Sequence, residues 1–333
     1  MHEVMINHFT HTDLDGVGCA VLTHLFAKQN DAGIVVEYCD RGKNMNINDR
    51  VNRLLDTIDM VKSTKISLPE KRYIIISDIS IDDKIAARLN SYRSEEIDIL
   101  MVDHHPPEKF VDLCPWAKVD VSPDTCSTEL LYDRLQYHFY QHRLMGNWAQ
   151  DVFVEDVRKY DTWTFQEGDN AYLLNVLLGC MSQDAFQSIV TSWLNERKAF
   201  IVAYTPYAEI VEHVSKERKA YCRRKLSSVQ RISWRGYHIG VVFGEKCISQ
   251  LADTILDSCP DIDICAVIVM PGSVSLRTRR SDICLGEIAA HMGGGGHQKA
   301  AAYLINKPNE DMIREIMKLQ EESSVGKETK REL

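Results

Sequence analysis

Acidic and imidazole side chains cluster at four points in the first half of this 333-residue chain. Three of these points come directly after short apolar runs, and the fourth follows an amphipathic segment. The residues concerned are His11, Asp13, Asp15, Asp78, Asp103, His104, His105 and Asp161. Carboxylate and imidazole groups without paired thiolates suit Mn²⁺ or a similar borderline cation better than a thiolate-bound zinc. A metal site is therefore the first hypothesis.

Each point has a simpler reading when it is taken alone. Alternate residues of an extended segment point the same way, so His11, Asp13 and Asp15 can face one pocket, but DxDG also occurs in turns and calcium loops. Asp78 could cap the next helix, and Asp161 could end one. The Asp-His-His triplet that ends at His105 is harder to explain as a turn, since a histidine ligand needs its second ring nitrogen held by a neighbour such as a carboxylate.

Taken together, the four points indicate a centre with two cations. Several carboxylates in one crevice repel each other unless cations lie among them. Two cations about 3.5–4 Å apart share a carboxylate and activate water for attack on phosphorus. The chemistry predicted is hydrolysis of a phosphate ester.

The elements between these points predict an α/β fold with a parallel sheet. The strand candidates are 4–9, 34–39, 73–77, 97–102 and 117–121, and the helix candidates are 17–29, 82–93, 127–143 and 150–160. The carboxyl ends of parallel strands meet at one edge of a sheet, where ligands bind. The four points are therefore expected to converge there.

The second half predicts a smaller α/β substrate-binding domain. We expect a metal-binding domain over 1–183, a helical connector over 184–226, the second domain over 227–318 and a disordered tail over 319–333. Strands are predicted at 237–243, 263–270, 273–279 and 300–305, and helices at 188–194, 207–226, 248–257 and 283–291. The basic run KERKAYCRRK in the connector indicates a solvated helix face.

Composition limits the partners. The net charge of −9 argues against long duplex DNA, which needs a broad basic face, but permits a small anionic substrate. The ten scattered cysteines form no CxxC pair and indicate small buried hydrophobes in a reducing compartment. No apolar run reaches the length of a membrane span, and the first residues do not resemble a signal peptide. A cytoplasmic enzyme is expected, with a homodimer left open.

The motifs HTDLDG, ISDIS, VDHHP and YDTW, in this order, resemble the four motifs of the DHH phosphoesterase family. SVSLRTRRSDI and HMGGGGHQKAAAYL are similar to the C-terminal substrate-binding domain that accompanies it, and the N-terminal motif is similar to the nano-RNase B branch. The resemblance implies metal-ligand roles, with Asp78 bridging, for His11, Asp13, Asp15, Asp78, His104 and Asp161. It also implies that Asp103 orients His104 and that His105 faces the phosphate.

The glycine run before His297 predicts a phosphate-binding loop, since glycines let main-chain N–H groups approach an anion closely. Arg277 can pair with a phosphate in bidentate fashion, and Arg279 shares its strand face. Arg280 points the other way, toward solvent. The predicted substrate-binding residues are Arg277, Arg279, Gly294, Gly295, Gly296 and His297. Ser127 and Thr128 are predicted only as helix caps.

The expected activity is a Mn²⁺-dependent phosphodiesterase or exoribonuclease with two cations, Mg²⁺ or Co²⁺ being alternatives. The expected substrate is a short oligoribonucleotide, linear dinucleotide, bisphosphate nucleotide or cyclic nucleotide, bound between the two domains. Three alternatives stay open. They are an inorganic pyrophosphatase, a processive single-strand DNA exonuclease, which lacks the basic channel it needs, and a non-catalytic nucleotide sensor on the same scaffold.

Overall fold

The computed structural model describes residues 3–40, 45–64, 69–138, 148–166, 168–197, 205–270 and 272–305. The chain divides into two compact units, the first ending at Ser215 and the second beginning at Lys216. The predicted tail at 319–333, and the end of the helix predicted over 127–143, lie outside the described residues. None of the helices in the described ranges has the length and apolar character needed to cross a bilayer.

The first unit is built on a five-stranded parallel sheet with strand order β2-β1-β3-β4-β5. The strands are β1 (Val4–Thr10), β2 (Gly33–Tyr38), β3 (Lys71–Ser77), β4 (Ile97–Asp103) and β5 (Ala117–Val119). This order places β1, β3 and β4, which precede three of the four chemical motifs, side by side. The predicted α/β fold with a parallel sheet is confirmed.

Seven helices of the described chain cover this sheet, and an eighth crosses from the first unit into the second. They are α1 (Leu14–Gln29), α2 (Ile47–Lys62), α3 (Asp83–Tyr92), α4 (Ser127–His138), α5 (Trp148–Asp161), α6 (Asn170–Leu178), α7 (Gln183–Asn195) and α8 (Ala208–Lys225). The sequence did not predict α2 or α6. α2 buries four side chains at helical spacing, Ile47, Val51, Leu55 and Ile58, a pattern that the prediction from sequence did not use.

The core of the first unit forms on both faces of the sheet, as the alternation of side chains along a strand requires. Ile75 of β3 packs with α1 and the helices from α4 to α7 on one face. Its neighbours Ile74 and Ile76 pack with α2 and α3 on the other. Continuous apolar strands, which the sequence showed, are the mark of a sheet buried on both sides.

The second unit contains a six-stranded mixed sheet with strand order β10-β11-β9-β8-β7-β6. Its elements are β6 (Gln230–Trp234), β7 (Tyr237–Phe243), α9 (Ile248–Ser258), β8 (Ile264–Val269), β9 (Ser273–Thr278), α10 (Leu285–His291), β10 (Gly295–Gly296) and β11 (Ala300–Leu304). The edge strand β6 was not predicted, and all five of its residues are exposed.

Candidate metal centre

The segment after β1 turns directly into α1 and carries the first two candidate ligands. Asp13 caps the helix, accepting a 3.1 Å hydrogen bond from the amide of Gly16 through Oδ1. Its Oδ2 lies 2.9 Å from Nδ1 of His11. A Cβ atom at Gly16 would lie 2.4 Å from the carbonyl oxygen of His11, so this turn closes only around glycine. The HTDLDG motif is therefore one compact ligand-bearing turn.

Asp78 lies at the centre of the site. It follows β3 with a φ of 59°, a left-handed conformation that aspartate tolerates better than most residues, and it is 2% exposed. Oδ2 lies 3.8 Å from Nδ1 of His11, while Oδ1 lies 3.4 Å from Nε2 of His104 and 3.9 Å from Nδ1 of His105. One buried carboxylate thus contacts histidines from two different strand ends.

Three groups of candidate ligands within the described part of the first unit share this aspartate. In each, one donor atom per residue lies within 4.8 Å of the others. The groups are His11, Asp13 and Asp78; Asp15, Asp78 and His104; and Asp78, Asp103 and His105. Burial, followed by the charges of Asp13, Asp15 and Asp161, raises the pKa of Asp78 well above its usual range. Bound cations would oppose that rise.

His104 joins Asp161 to the cluster, although Asp161 belongs to α5 and not to the sheet. Nε2 of His104 lies 3.5 Å from Oδ2 of Asp161 and 3.7 Å from Oδ2 of Asp15. Burial lowers the pKa of His104 in spite of the nearby carboxylates, which favours the neutral imidazole that ligates metals. All four motifs that the sequence singled out are therefore in contact in the first unit.

Asp103 contacts the ring of His105. Its Oδ1 lies 2.8 Å from Nδ1 of His105 and accepts hydrogen bonds from the main-chain amides of His104 and His105. Its Oδ2 accepts one from the hydroxyl of Ser80 at 3.0 Å. The family resemblance implies that this carboxylate orients His104. The sharp turn after β4 folds the imidazole of His105 back onto the carboxylate of Asp103.

A buried polar layer lies beneath the ligands and was not anticipated from the sequence. Nε2 of His8 lies 2.8 Å from the hydroxyl of Ser77, which lies 2.8 Å from the hydroxyl of Thr10. Thr10 in turn donates to the carbonyl of Gly16. Burial lowers the pKa of His8 to about 3. This layer joins the ends of β1 and β3 just below the ligand-bearing turns.

Ser127 and Thr128 take part in the site more directly than helix caps do. Their main-chain amides donate to Oδ2 and Oδ1 of Asp15, each at 2.7 Å. The hydroxyl of Ser127 donates to Oδ1 of Asp78 at 3.2 Å. The sequence signal, Ser-Thr opening a helix, was noticed but was assigned to the helix itself.

The donor set fits divalent cations. It consists of carboxylate oxygens and imidazole nitrogens, the ligands of manganese and magnesium sites. Oδ2 of Asp78 is buried and accepts no hydrogen bond from any residue that the structure describes. A buried anionic oxygen left in this state is costly, and a cation would satisfy it.

In the second unit, the two predicted arginines differ in their surroundings. Arg277 lies on β9, half-buried, and donates to the hydroxyl of Ser249 at 2.8 Å. Arg279 is nearly half exposed and pairs with Asp253 and Asp257 of α9. Arg280 pairs with two other aspartates, so neither it nor Arg279 offers an unneutralised charge.

The glycine run uses several of its amides inside the second unit. The amides of Gly293 and Gly294 donate to carbonyls of α10, and that of His297 donates to the carbonyl of Ala300. Gly296 has a φ of 139°, and a Cβ there would lie 2.5 Å from the carbonyl of Ala300. The run therefore forms a tight hairpin with β11. The expected row of phosphate-facing amides is not seen at Gly294 and His297.

Comparison with known proteins identifies the first unit. Residues 4–153 match the DHH family, N-terminal domain. The chain carries a DHH family domain. The predicted DHH resemblance is confirmed, and with it the class of phosphate-ester hydrolases.

Two curated relatives match along most of the chain. It is 28% identical over 306 residues to "Oligoribonuclease NrnB" of Bacillus subtilis (strain 168), covering 89% of this chain and 72% of the relative. It is 23% identical over 340 residues to a "3',5'-cyclic-nucleotide phosphodiesterase" of Helicobacter pylori (strain ATCC 700392 / 26695), covering 90% and 92%.

Among solved structures, "exonuclease RecJ bound to manganese" has the same fold. The TM-score is 0.53 at 14% identity, over 91% of this chain and 86% of that one.

Proposed function

We propose that this protein is a phosphodiesterase that uses two divalent cations, with Mn²⁺ preferred, to hydrolyse short oligoribonucleotides or small nucleotides. One observation carries the proposal. Asp78 is shared by three groups of ligand atoms that come from the ends of β1, β3 and β4, and its Oδ2 is buried among them. A carboxylate shared in this way is what a pair of cations requires of a protein.

The residues that would hold the cations are those in contact around Asp78. They are His11, Asp13, Asp15, Asp78, His104 and Asp161. When bound, divalent cations neutralise the phosphate and lower the pKa of coordinated water. Hydrogen bonds within the site fix the carboxylates of Asp13 and Asp15 in place, and burial lowers the pKa of His104, which favours its neutral form. Asp103 holds Nδ1 of His105, so the opposite ring nitrogen, Nε2, is the one that would donate to a phosphate oxygen.

Two observations favour a small substrate. The net charge of −9 disfavours a long nucleic acid, whose affinity depends on many phosphate contacts. The two relatives are named as an oligoribonuclease and a 3',5'-cyclic-nucleotide phosphodiesterase, and both names refer to small substrates, an oligoribonucleotide and a cyclic nucleotide. We propose that Arg277, His297 and the hairpin of Gly294–Gly296 contact the phosphate or ribose of such a substrate, with Arg279 in a lesser role.

The second candidate is hydrolysis of a cyclic nucleotide, which the Helicobacter relative favours. It needs the same cations and the same ligands. The two candidates differ only in whether the substrate presents a terminal phosphate, which a basic group such as Arg277 would bind.

The test is a substrate panel with metal-free protein. RNA dimers to pentamers, bisphosphate nucleotides, cyclic mononucleotides, cyclic dinucleotides and pyrophosphate are each incubated with Mn²⁺, Mg²⁺ or Co²⁺. We expect the fastest turnover on an RNA dimer or trimer with Mn²⁺. Pyrophosphate as the best substrate would reassign the chain to the pyrophosphatases, and turnover of nothing in the panel would leave the sensor as the better proposal.

Asp78→Asn and Asp120→Asn form a matched pair for the same assay. Both aspartates lie at the carboxyl edge of the sheet, but Asp120 follows β5 and belongs to none of the three ligand groups. We expect the first variant to lose turnover and the second to retain it. Equal activity in Asp78→Asn and the parent would refute the shared-carboxylate centre.

A further inference from the structure

Ser127, the first residue of α4, makes hydrogen bonds to two of the candidate ligands, Asp15 and Asp78. Its amide donates to Oδ2 of Asp15 at 2.7 Å, and its hydroxyl donates to Oδ1 of Asp78 at 3.2 Å. Asp15 lies in the first turn of α1 and Asp78 follows β3, so α4 is a third element in contact with both. All three side chains are buried to 2% exposure or less.

The first turn of α4 also binds Asp15 from a second direction. The amide of Thr128 donates to Oδ1 of Asp15 at 2.7 Å, and its hydroxyl donates to the main-chain carbonyl of the same residue at 2.7 Å. A Cβ at Gly18, one turn further along α1, would lie 2.5 Å from the Thr128 hydroxyl. The two helices are therefore in close contact at this point.

These contacts determine what each carboxylate can do. Both oxygens of Asp15 accept main-chain amides at the start of a twelve-residue helix, which fixes the plane of the carboxylate. Asp78 receives one hydroxyl on Oδ1, while Oδ2 accepts nothing from the described residues. Hydrogen bonds to ligands from such outer groups set ligand orientation and metal affinity.

We infer that Ser127 is a positioning residue of the metal centre. Its hydroxyl holds Oδ1 of Asp78 so that Oδ2 stays directed toward His11, and its amide fixes Asp15 relative to Asp78. The inference rests on the proposed function, because it assigns Ser127 to the same centre. It goes further by making the start of α4 part of that centre.

Ser127→Ala tests the role with little risk to folding, since it removes one oxygen from a buried site. Mn²⁺ affinity is measured by titration calorimetry on metal-free protein, and kcat is measured on the best substrate as a function of Mn²⁺. We expect affinity for one of the two ions to fall by about 10–100-fold. The fall in kcat should be largest at limiting Mn²⁺ and should shrink as Mn²⁺ is raised.

Two companion variants separate positioning from general packing. Thr125→Val removes a hydroxyl just before α4 that donates to Glu129 and touches neither carboxylate, so Mn²⁺ affinity should stay within about twofold of the parent. Ser127→Thr keeps the hydroxyl and should restore most of the affinity lost in the alanine variant.

Each outcome has a defined meaning. If Ser127→Ala binds Mn²⁺ and turns over like the parent, the inference is wrong while the metal centre stands. If Thr125→Val is impaired as strongly as Ser127→Ala, the effect belongs to the packing of α4 and the inference is again wrong. If the parent itself binds no Mn²⁺, the proposed function and this inference both fail.

Discussion

The two units of this protein differ in whether their charged side chains are neutralised by a partner of opposite charge. In the first unit, carboxylates are buried together, and Asp78 has an oxygen that no described residue satisfies. In the second unit, Arg279, which is predicted to bind phosphate, is already paired with Asp253 and Asp257, and its neighbour Arg280 is paired with Asp263 and Asp282. The first arrangement is costly unless a ligand binds, whereas the second is stable as it is.

This contrast predicts that the first unit determines the turnover rate and that the second unit determines substrate affinity. Buried carboxylates that repel one another are stabilised strongly by bound cations. Substitutions among these carboxylates should therefore reduce turnover. An exposed, paired surface can exchange one partner for another at little cost, so changes there should alter substrate affinity modestly. The predictions below test that division, beginning with the largest expected effect.

His104 and His297 offer the most direct comparison, one histidine from each unit. We expect His104→Gln to lower kcat about a thousandfold, because a lost ligand removes several kcal/mol of transition-state stabilisation. We expect His297→Gln to raise KM about tenfold with kcat little changed, because it removes one hydrogen bond to an anion. Steady-state kinetics at saturating Mn²⁺ decide. Equal losses of kcat in both variants would contradict the assignment of turnover to the first unit and of substrate affinity to the second.

Asp103 tests whether the residue that holds the ring of His105, our proposed phosphate-binding imidazole, matters as much as the proposed metal ligands. Asp103→Asn keeps the shape but weakens the contact with Nδ1 of His105, and we expect kcat to fall about 10–100-fold. Ser80→Ala, which removes one 3.0 Å hydrogen bond to the other oxygen of Asp103, should cost only a few-fold. A larger loss in Ser80→Ala than in Asp103→Asn would contradict this order.

His8 tests the polar layer beneath the first site through stability. Its pKa is lowered by burial from 6.5 to about 3, so the unfolded chain binds a proton below pH 6.5 that the folded chain does not. Folding stability is therefore lost as pH falls from 6.5 toward 3, by about 2 kcal/mol between pH 7 and 5 from this group.

Urea unfolding of the parent and of His8→Gln at these two pH values measures the difference. The variant should lose less stability over the same interval, whatever its stability at pH 7. Identical pH dependence in the two proteins would show that His8 does not stay neutral in the folded protein.

The two arginines of β9 and its end test the second unit by itself. Arg277 lies within β9 and donates to the hydroxyl of Ser249, and we expect Arg277→Met to raise KM about tenfold, because it removes a proposed hydrogen bond to an anion. Arg279→Met should raise KM less, about twofold, because its charge is already paired with two aspartates. A larger effect at Arg279 would mean that substrate displaces those aspartates.

The sequence predicted the parallel sheet and the four chemical motifs because both depend on local patterns. Continuous apolar strands show in the sequence, and so does a polar motif at the end of a strand. The contacts between motifs follow from strand order, which places β1, β3 and β4 together. The pairing of Asp103 with His105 could not be read from the sequence, since adjacent histidines are equivalent until the turn after β4 is known.

Support from distant residues was also hidden in the sequence. Ser127 and Asp15 are 112 positions apart, and nothing in either segment indicates the other. The pairing of Arg279 with two aspartates was missed for a similar reason. Two aspartates one helical turn apart on α9 are an ordinary solvated face in the sequence, and only the packing of α9 on β9 brings them to that arginine.

The hydrogen bonds from the first amides of α4 to Asp15 have a consequence for the synthesis of this protein. Translation delivers β1 and the HTDLDG turn first, and Asp15 must wait through 112 further residues for the amides that fix it. At roughly 5–20 residues per second this delay is about 6–22 s. During that interval the first turn can meet cellular cations while its carboxylates lack their final geometry. The full set of proposed ligands, with the amides that orient Asp15, therefore exists only after α4 and Asp161 have been made.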